Sequence, residues 1–224
     1  MNSPAKFIDH TLLRADATDA DIAQLCEEAV ECGFASVCIP PCYVAQTKRL
    51  VYGSDVAVCT VIGFPLGNQT TEVKVFETRQ AIALGADEID MVINLGAARA
   101  ADFENVQEDI RRVVAAAENA VVKVIIECCL FGDDVKSRLV EIVAMGGADY
   151  VKTSTGFAAS GATVEDVLLL SQVASARIKV KAAGGVRDWS TCQAMLAAGA
   201  SRIGTSAGLV IMQQWQESAG SQCS

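Results

Sequence analysis

Four glycines close apolar helical stretches at the same point of a repeating pattern, and each is followed at once by a β-prone run. Gly33 precedes Ser36 to Ile39, Gly85 precedes Glu88 to Asn94, Gly147 precedes Tyr150 to Ser154, and Gly199 precedes Arg202 to Ser206. A glycine suits the position just past a helix end, where the chain turns left-handed. The first of these helices opens with a capping pattern, Thr18 with Asp21, and carries Ile22, Leu25, Cys26, Ala29 and Val30 at helical spacing. Further β-prone runs fall at Phe7 to Thr11, Val56 to Ile62, Val121 to Glu127 and Lys179 to Ala183. Helical spacing recurs at Phe103, Val106, Ile110, Val113 and Val114, at Val135, Leu139, Ile142 and Val143, and at Trp189, Cys192, Met195 and Leu196. Eight strands alternating with helices predict an α/β fold, a parallel sheet closed into a (β/α)8 TIM barrel.

The chain of 224 residues, 51% hydrophobic, is long enough for one such domain. No linker or low-complexity block divides it, so residues 1–215 are expected to form the barrel and the polar residues 216–224 to fray. A net charge of −9 disfavours nucleic acid and anionic membrane as partners. No uncharged run approaches the roughly 18 residues of a membrane span. The nine cysteines form no C-x-x-C pair and several lie in apolar runs, which fits a cytoplasmic protein with free thiols. His10 is the only histidine, which makes histidine-based catalysis and multi-histidine metal sites improbable and leaves it a structural role.

Alternation along the strands puts Asp90, Val92 and Asn94 on one face, as it does Lys123, Ile125 and Glu127, Lys152 and Ser154, and Lys179 and Lys181. A lumen built only for packing would hold Val, Ile and Leu. Buried charges cost several kcal/mol each unless paired. Two readings remain open: a structural ion-pair network, or a catalytic site at the strand C-terminal ends. Two facing lysines have a chemical use. A free lysine is neutral only to about four parts in ten thousand at pH 7, and desolvation beside a second ammonium raises that fraction. The neutral amine can attack a carbonyl and form an iminium, with Asp90 as the lumen carboxylate to move protons. Two glycine-bearing turns, Ala183 to Val186 and Gly204 to Gly208, lie where barrels hold phosphate.

Six blocks resemble the deoxyribose-phosphate aldolases in order along the chain: Phe7 to Leu13, Ile62 to Gly67, Glu88 to Asn94, Val122 to Glu127, Val151 to Phe157 and Lys181 to Arg187. The resemblance implies a class I aldolase without metal or other cofactor, reversibly cleaving 2-deoxy-D-ribose 5-phosphate to D-glyceraldehyde 3-phosphate and acetaldehyde. It implies Lys152 as the imine-forming lysine, Lys181 as its activating neighbour and Asp90 as the acid–base group. Asp9, Thr11, Lys123 and Thr155 match substrate-binding positions. Gly156, Gly184, Gly185, Gly204 and Ser206 match phosphate-binding positions. The implied partners are a small phosphosugar and aldehydes, and a homodimer. The alternatives are a phosphosugar-binding barrel without imine chemistry and a non-catalytic homologue. Ala207 and Phe157 replace a serine and a lysine that some members carry, which predicts weaker phosphate binding and a better showing for free deoxyribose. No tyrosine ends this sequence, so the proton transfer that such a residue assists in some members falls to water or is absent.

Overall fold

A computed structural model describes residues 3–220. Eight parallel strands close into a barrel in chain order: β1 (Ile8–Thr11), β2 (Ser36–Ile39), β3 (Ala57–Ile62), β4 (Glu88–Val92), β5 (Val121–Ile125), β6 (Tyr150–Lys152), β7 (Lys179–Ala183) and β8 (Arg202–Thr205), with β8 pairing back to β1. The helices around it are α1 (Asp19–Cys32), α2 (Val44–Leu50), α3 (Thr71–Ala83), α4 (Leu95–Arg99), α5 (Phe103–Ala117), α6 (Asp133–Met145), α7 (Val164–Ala174), α8 (Trp189–Ala197) and α9 (Gly208–Gly220). No helix among the described residues is long and apolar enough to cross a membrane.

Local signals act where the sequence places them. Thr18 and Asp21 form a reciprocal capping box on α1, and Gly33 ends that helix in the left-handed conformation with φ 66°. Three expected strands stop early because their last residues serve the barrel mouth instead. Asn94 caps α4 by accepting from the Ala97 N–H at 3.0 Å, Glu127 turns left-handed at φ 53°, and Ser154 lies beyond the end of β6. The segment expected to fray, from residue 216, is helical as far as the described residues run. Helix α9 runs through Gly220, with Gln213 donating to Glu217 at 3.0 Å and Ser218 to the Trp215 carbonyl at 2.8 Å. Residues 221–224 of that segment lie outside the described residues.

The apolar core lies between sheet and helices. It takes one residue in two from each strand, such as Val37, Ile89, Val124, Val151, Val180 and Ile203, all essentially inaccessible to solvent. The alternate residues face the lumen, where most are polar. Register then fixes which of them meet: Asp90 stands beside Lys123, Lys152 beside Lys181, and Lys181 beside Arg202.

A buried ion pair joins two helices outside the lumen. Lys74 of α3 is fully buried and donates to Asp109 of α5 at 2.5 Å and to the Val92 carbonyl at the end of β4 at 2.9 Å. Deleting one member of a buried pair strands the other without a counter-charge. Lys74→Met is therefore expected to destabilise the protein by about 3–5 kcal/mol, and Lys74→Met with Asp109→Leu to restore most of that, both read from urea unfolding midpoints.

Candidate active site

At the C-terminal mouth of the barrel lies a pocket of about 380 Å³. Its lining comes from four neighbouring strand ends and the turns that follow them: Thr11 to Arg14 after β1, Lys152 and Thr155 to Phe157 after β6, Ala183 to Arg187 after β7, and Gly204 to Ser206 after β8. Lys152 is the only lumen lysine that reaches it. Its Nζ lies 2.7 Å from Asp90 Oδ2, and Lys181 Nζ donates to the same oxygen at 2.6 Å. Lys123 Nζ meets the other oxygen, Asp90 Oδ1, at 3.0 Å. One carboxylate thus accepts from three ammonium groups. Burial opposes its ionisation, but Lys123, Lys152 and Lys181 outweigh that and hold the carboxyl well below the usual range.

Two of these groups continue into a wider network. Lys123 also pairs with Glu88 at 2.6 Å, and Lys181 with Asp9 at 2.5 Å. Arg202 joins Asp9 at 2.5 Å to Glu88 at 3.0 Å, and Ser36 donates to Asp9 at 2.7 Å. Burial works against charge on Lys181, yet Asp9 and Asp90 raise its proton affinity well above that of an ordinary lysine. The same balance holds Lys123 charged, through Asp90 and Glu88 in particular. Asp9 is also buried, and there Lys181, Lys123 and Arg202 prevail and keep the carboxyl ionised.

The structure brings Thr11, Lys152, Thr155, Gly156, Gly184, Gly185, Gly204 and Ser206 together around one pocket, with Asp90 and Lys181 directly under Lys152. Two residues expected to bind substrate lie deeper than the pocket lining. Asp9 and Lys123 are fully buried below the pocket floor and their charges are used by Lys181, Arg202, Glu88 and Asp90. Thr155 does line the pocket, but its hydroxyl donates to the buried Glu127 at 2.5 Å and accepts from the Phe157 N–H at 3.0 Å. The alternation that singled out Asp90 also includes Glu88, and it includes Arg202 once applied to β8. Both belong to the network and neither was assigned a role from the sequence. Glu127, assigned only a face, also proves to be tied to Thr155.

Backbone geometry shapes the phosphate-side wall. Gly156, Gly184 and Gly185 have φ of 86°, 85° and 83°, a conformation that costs other residues about 1 kcal/mol or more. A Cβ on Gly184 would stand 2.9 Å from the Gly161 Cα, so the turns after β6 and β7 touch backbone to backbone. Gly204 serves the lysine below it: a Cβ there would lie 3.2 Å from Lys181 Cε. At the two positions where side-chain donors were expected to be lacking, the amides are already engaged, Phe157 N–H by Thr155 and Ala207 N–H by Thr205 at 2.9 Å. The Phe157 ring packs edge-on against Phe64 at a centroid separation of 5.3 Å.

Two thiols complete the lumen. Cys38 and Cys59 are fully buried, and Cys59 donates to Asp90 Oδ1 at 3.2 Å. With Asp90 they form a donor set whose atoms lie within 4.8 Å of one another. It does not suit a metal ion, because three ammonium groups already surround the one carboxylate and would repel a cation. His10 faces away from the lumen, bonded to Glu28 at 2.7 Å and tilted against Phe34.

Comparison with known proteins agrees with this arrangement. Residues 5–214 match the profile of the DeoC/LacD family of aldolases. A relative from Syntrophotalea carbinolica described as deoxyribose-phosphate aldolase is 60% identical over 97% of this chain and 98% of its own. The solved structure of an aldolase, QR15, superposes with a TM-score of 0.94 at 39% identity, covering 98% of both chains. The deoxyribose phosphate aldolase of Aeropyrum pernix, whose structure is described as tetrameric, gives a TM-score of 0.89 at 36% identity over 95% of this chain and 90% of its own. The chain belongs to the DeoC/LacD family of aldolases.

Proposed function

We propose that the protein is a class I deoxyribose-phosphate aldolase in which Lys152 holds the substrate as an imine. The observation that carries this is the position of Lys152: its Nζ is on the pocket floor, against an ionised carboxylate that a second ammonium already occupies. Its neutral amine adds to C1 of open-chain 2-deoxyribose 5-phosphate, and the carbinolamine loses water to give an iminium. The C3 hydroxyl then yields its proton to a water held on Asp90. The C2–C3 bond breaks, its electron pair moves toward the iminium nitrogen, and glyceraldehyde 3-phosphate leaves. Protonation of the resulting enamine at C2 and hydrolysis release acetaldehyde and return the free amine. The positive turns of Gly156, Gly184 and Gly185 and the start of α9 at Ser206 and Gly208 suit the phosphate at the opposite end of the pocket.

An isomerase working through a carboxylate base fits this pocket less well. The carboxylates nearest to it are Asp90, bonded to three ammonium groups, and Glu127, bonded to Thr155. Neither lines the pocket, so neither reaches a carbon-bound proton directly, whereas Asp90 serves the hydroxyl of the aldol through a water. None of the described cysteines is in a disulfide, which suits a reducing cytoplasm.

Incubation with 2-deoxyribose 5-phosphate or acetaldehyde followed by borohydride is expected to add a stable mass to Lys152 alone. Lys152→Ala should abolish both the adduct and the cleavage, lowering kcat by about 10³-fold or more. Sugar-phosphate binding without any labelled lysine would remove the imine mechanism. At the pocket lip, Phe157→Lys is expected to raise the preference for phosphorylated over free deoxyribose by about tenfold in kcat/KM, through one charge-assisted contact. An unchanged ratio would place the phosphate away from the turn after β6.

A further inference from the structure

The six charged groups beneath Lys152 form a closed ring of alternating sign. In order they are Asp9, Lys181, Asp90, Lys123, Glu88 and Arg202, and Arg202 returns to Asp9. Each cation bridges two carboxylates and each carboxylate joins two cations. The ring's formal charge is therefore zero. Lys152 is the seventh group. It adds a fourth cation to three carboxylates, and its one partner, Asp90, already serves Lys123 and Lys181.

We propose that Glu88 and Arg202, at the base of the lumen, are positioning residues that set the protonation of Lys152 by keeping this ring neutral. The proposal rests on the imine reading for its catalytic meaning, and it goes beyond a pairwise effect of Lys181 on Lys152. Lys181 cannot act as an unbalanced ammonium, because Asp9 and Asp90 both face it. What singles out Lys152 is that a neutral ring leaves its charge without a counter-ion of its own, Asp90 being shared with Lys123 and Lys181. The other titratable groups around it lie outside the ring. Cys59 on β3 is pushed up by burial, by its bond to Cys38 and by Asp90, so its thiol stays protonated. Glu127, past the end of β5, is bonded to Thr155 and to no cation among the described residues. Cys38 on β2 pairs with Cys59 in the register of β2 and β3. Its bond with Cys59, helped by Lys181 and Lys152, outweighs burial and Asp90 and lowers its pKa, so of these two thiols it is the one drawn toward the anionic form, and it is common to the native protein and every variant compared.

Neither Glu88 nor Arg202 lines the pocket, and both lie within the strands, so a purely structural role would lower stability without moving a proton equilibrium in a signed way. The ring makes a signed prediction. Glu88→Gln leaves the ring with one excess positive charge and disfavours a further ammonium at Lys152. Arg202→Met leaves one excess negative charge and favours it. The double variant is neutral again.

The test is the pH dependence of Lys152 arylation by fluorodinitrobenzene, an uncharged reagent, in the substrate-free protein, read by peptide mass. Its midpoint is expected to fall by about one unit in Glu88→Gln and to rise by about one unit in Arg202→Met. The double variant is expected to return to within a few tenths of the native midpoint, and Arg202→Lys to stay near it. Shifts of both single variants in the same direction, or a double variant that does not return, would overturn the proposal. Should Arg202→Met fail to fold, Glu88→Gln differs from native by one atom and carries the test alone, and an unmoved midpoint there defeats it. The same midpoints are measured without substrate. A protein that shows the signed shifts but forms no imine with deoxyribose phosphate would therefore refute the aldolase reading and leave the ring standing.

Discussion

The carboxylate of Asp90, holding three ammonium groups inside a closed barrel, is the interaction on which the rest of this structure depends. Each of those ammonium groups costs several kcal/mol to bury without a partner, and Lys123 and Lys181 are fully buried. Only a fold that fixes all the partners at once can hold them. Parallel register does so here. Asp90 stands next to Lys123 across the β4–β5 ladder, and Lys152 next to Lys181 across β6–β7. Each pairing fixes two side chains on the same face at neighbouring heights. Closing the sheet between β8 and β1 brings Arg202 to Asp9 and completes the circuit.

Two materials with different physical tasks meet at Lys152. Below it is a rigid layer of bonded charges, each held by partners from other strands. Above it are turns rich in glycine, where the backbone takes conformations and close approaches that a side chain would block. Gly184 against Gly161 shows the second task, and Gly204 above Lys181 shows that the two layers touch. The result is one lysine whose amine faces a cavity sized for a small phosphosugar while its ammonium partners stay sealed from it. Chemistry that depends on one neutral amine among several charged ones needs that separation.

Much of this was legible in the sequence because it rests on short-range patterns. The capping box at Thr18, the helix-ending Gly33 and the two-residue period of β4 to β7 each need only a few neighbouring residues, and they placed Lys152, Lys181 and Asp90 on the lumen face. What was not legible depends on closure. That Arg202 would reach Glu88, 114 positions away, and that Asp9 would meet Lys181, follow from barrel diameter and side-chain length. Lys123 is a similar case: its face was readable, its depth was not. The strand ends at Asn94 and Glu127 were over-extended because the polar residues that finish each strand at the mouth continue the alternation while already serving as caps and loop anchors.

The most direct measurement of the central claim is a crystal structure of the protein after borohydride reduction with 2-deoxyribose 5-phosphate. The account predicts continuous density from Lys152 Nζ to C1 of the sugar, the phosphate against Gly184, Gly185 and Ser206, and Lys181 still bridging Asp9 and Asp90. An adduct on Lys181 or Lys123, or a phosphate bound away from those turns, would contradict it.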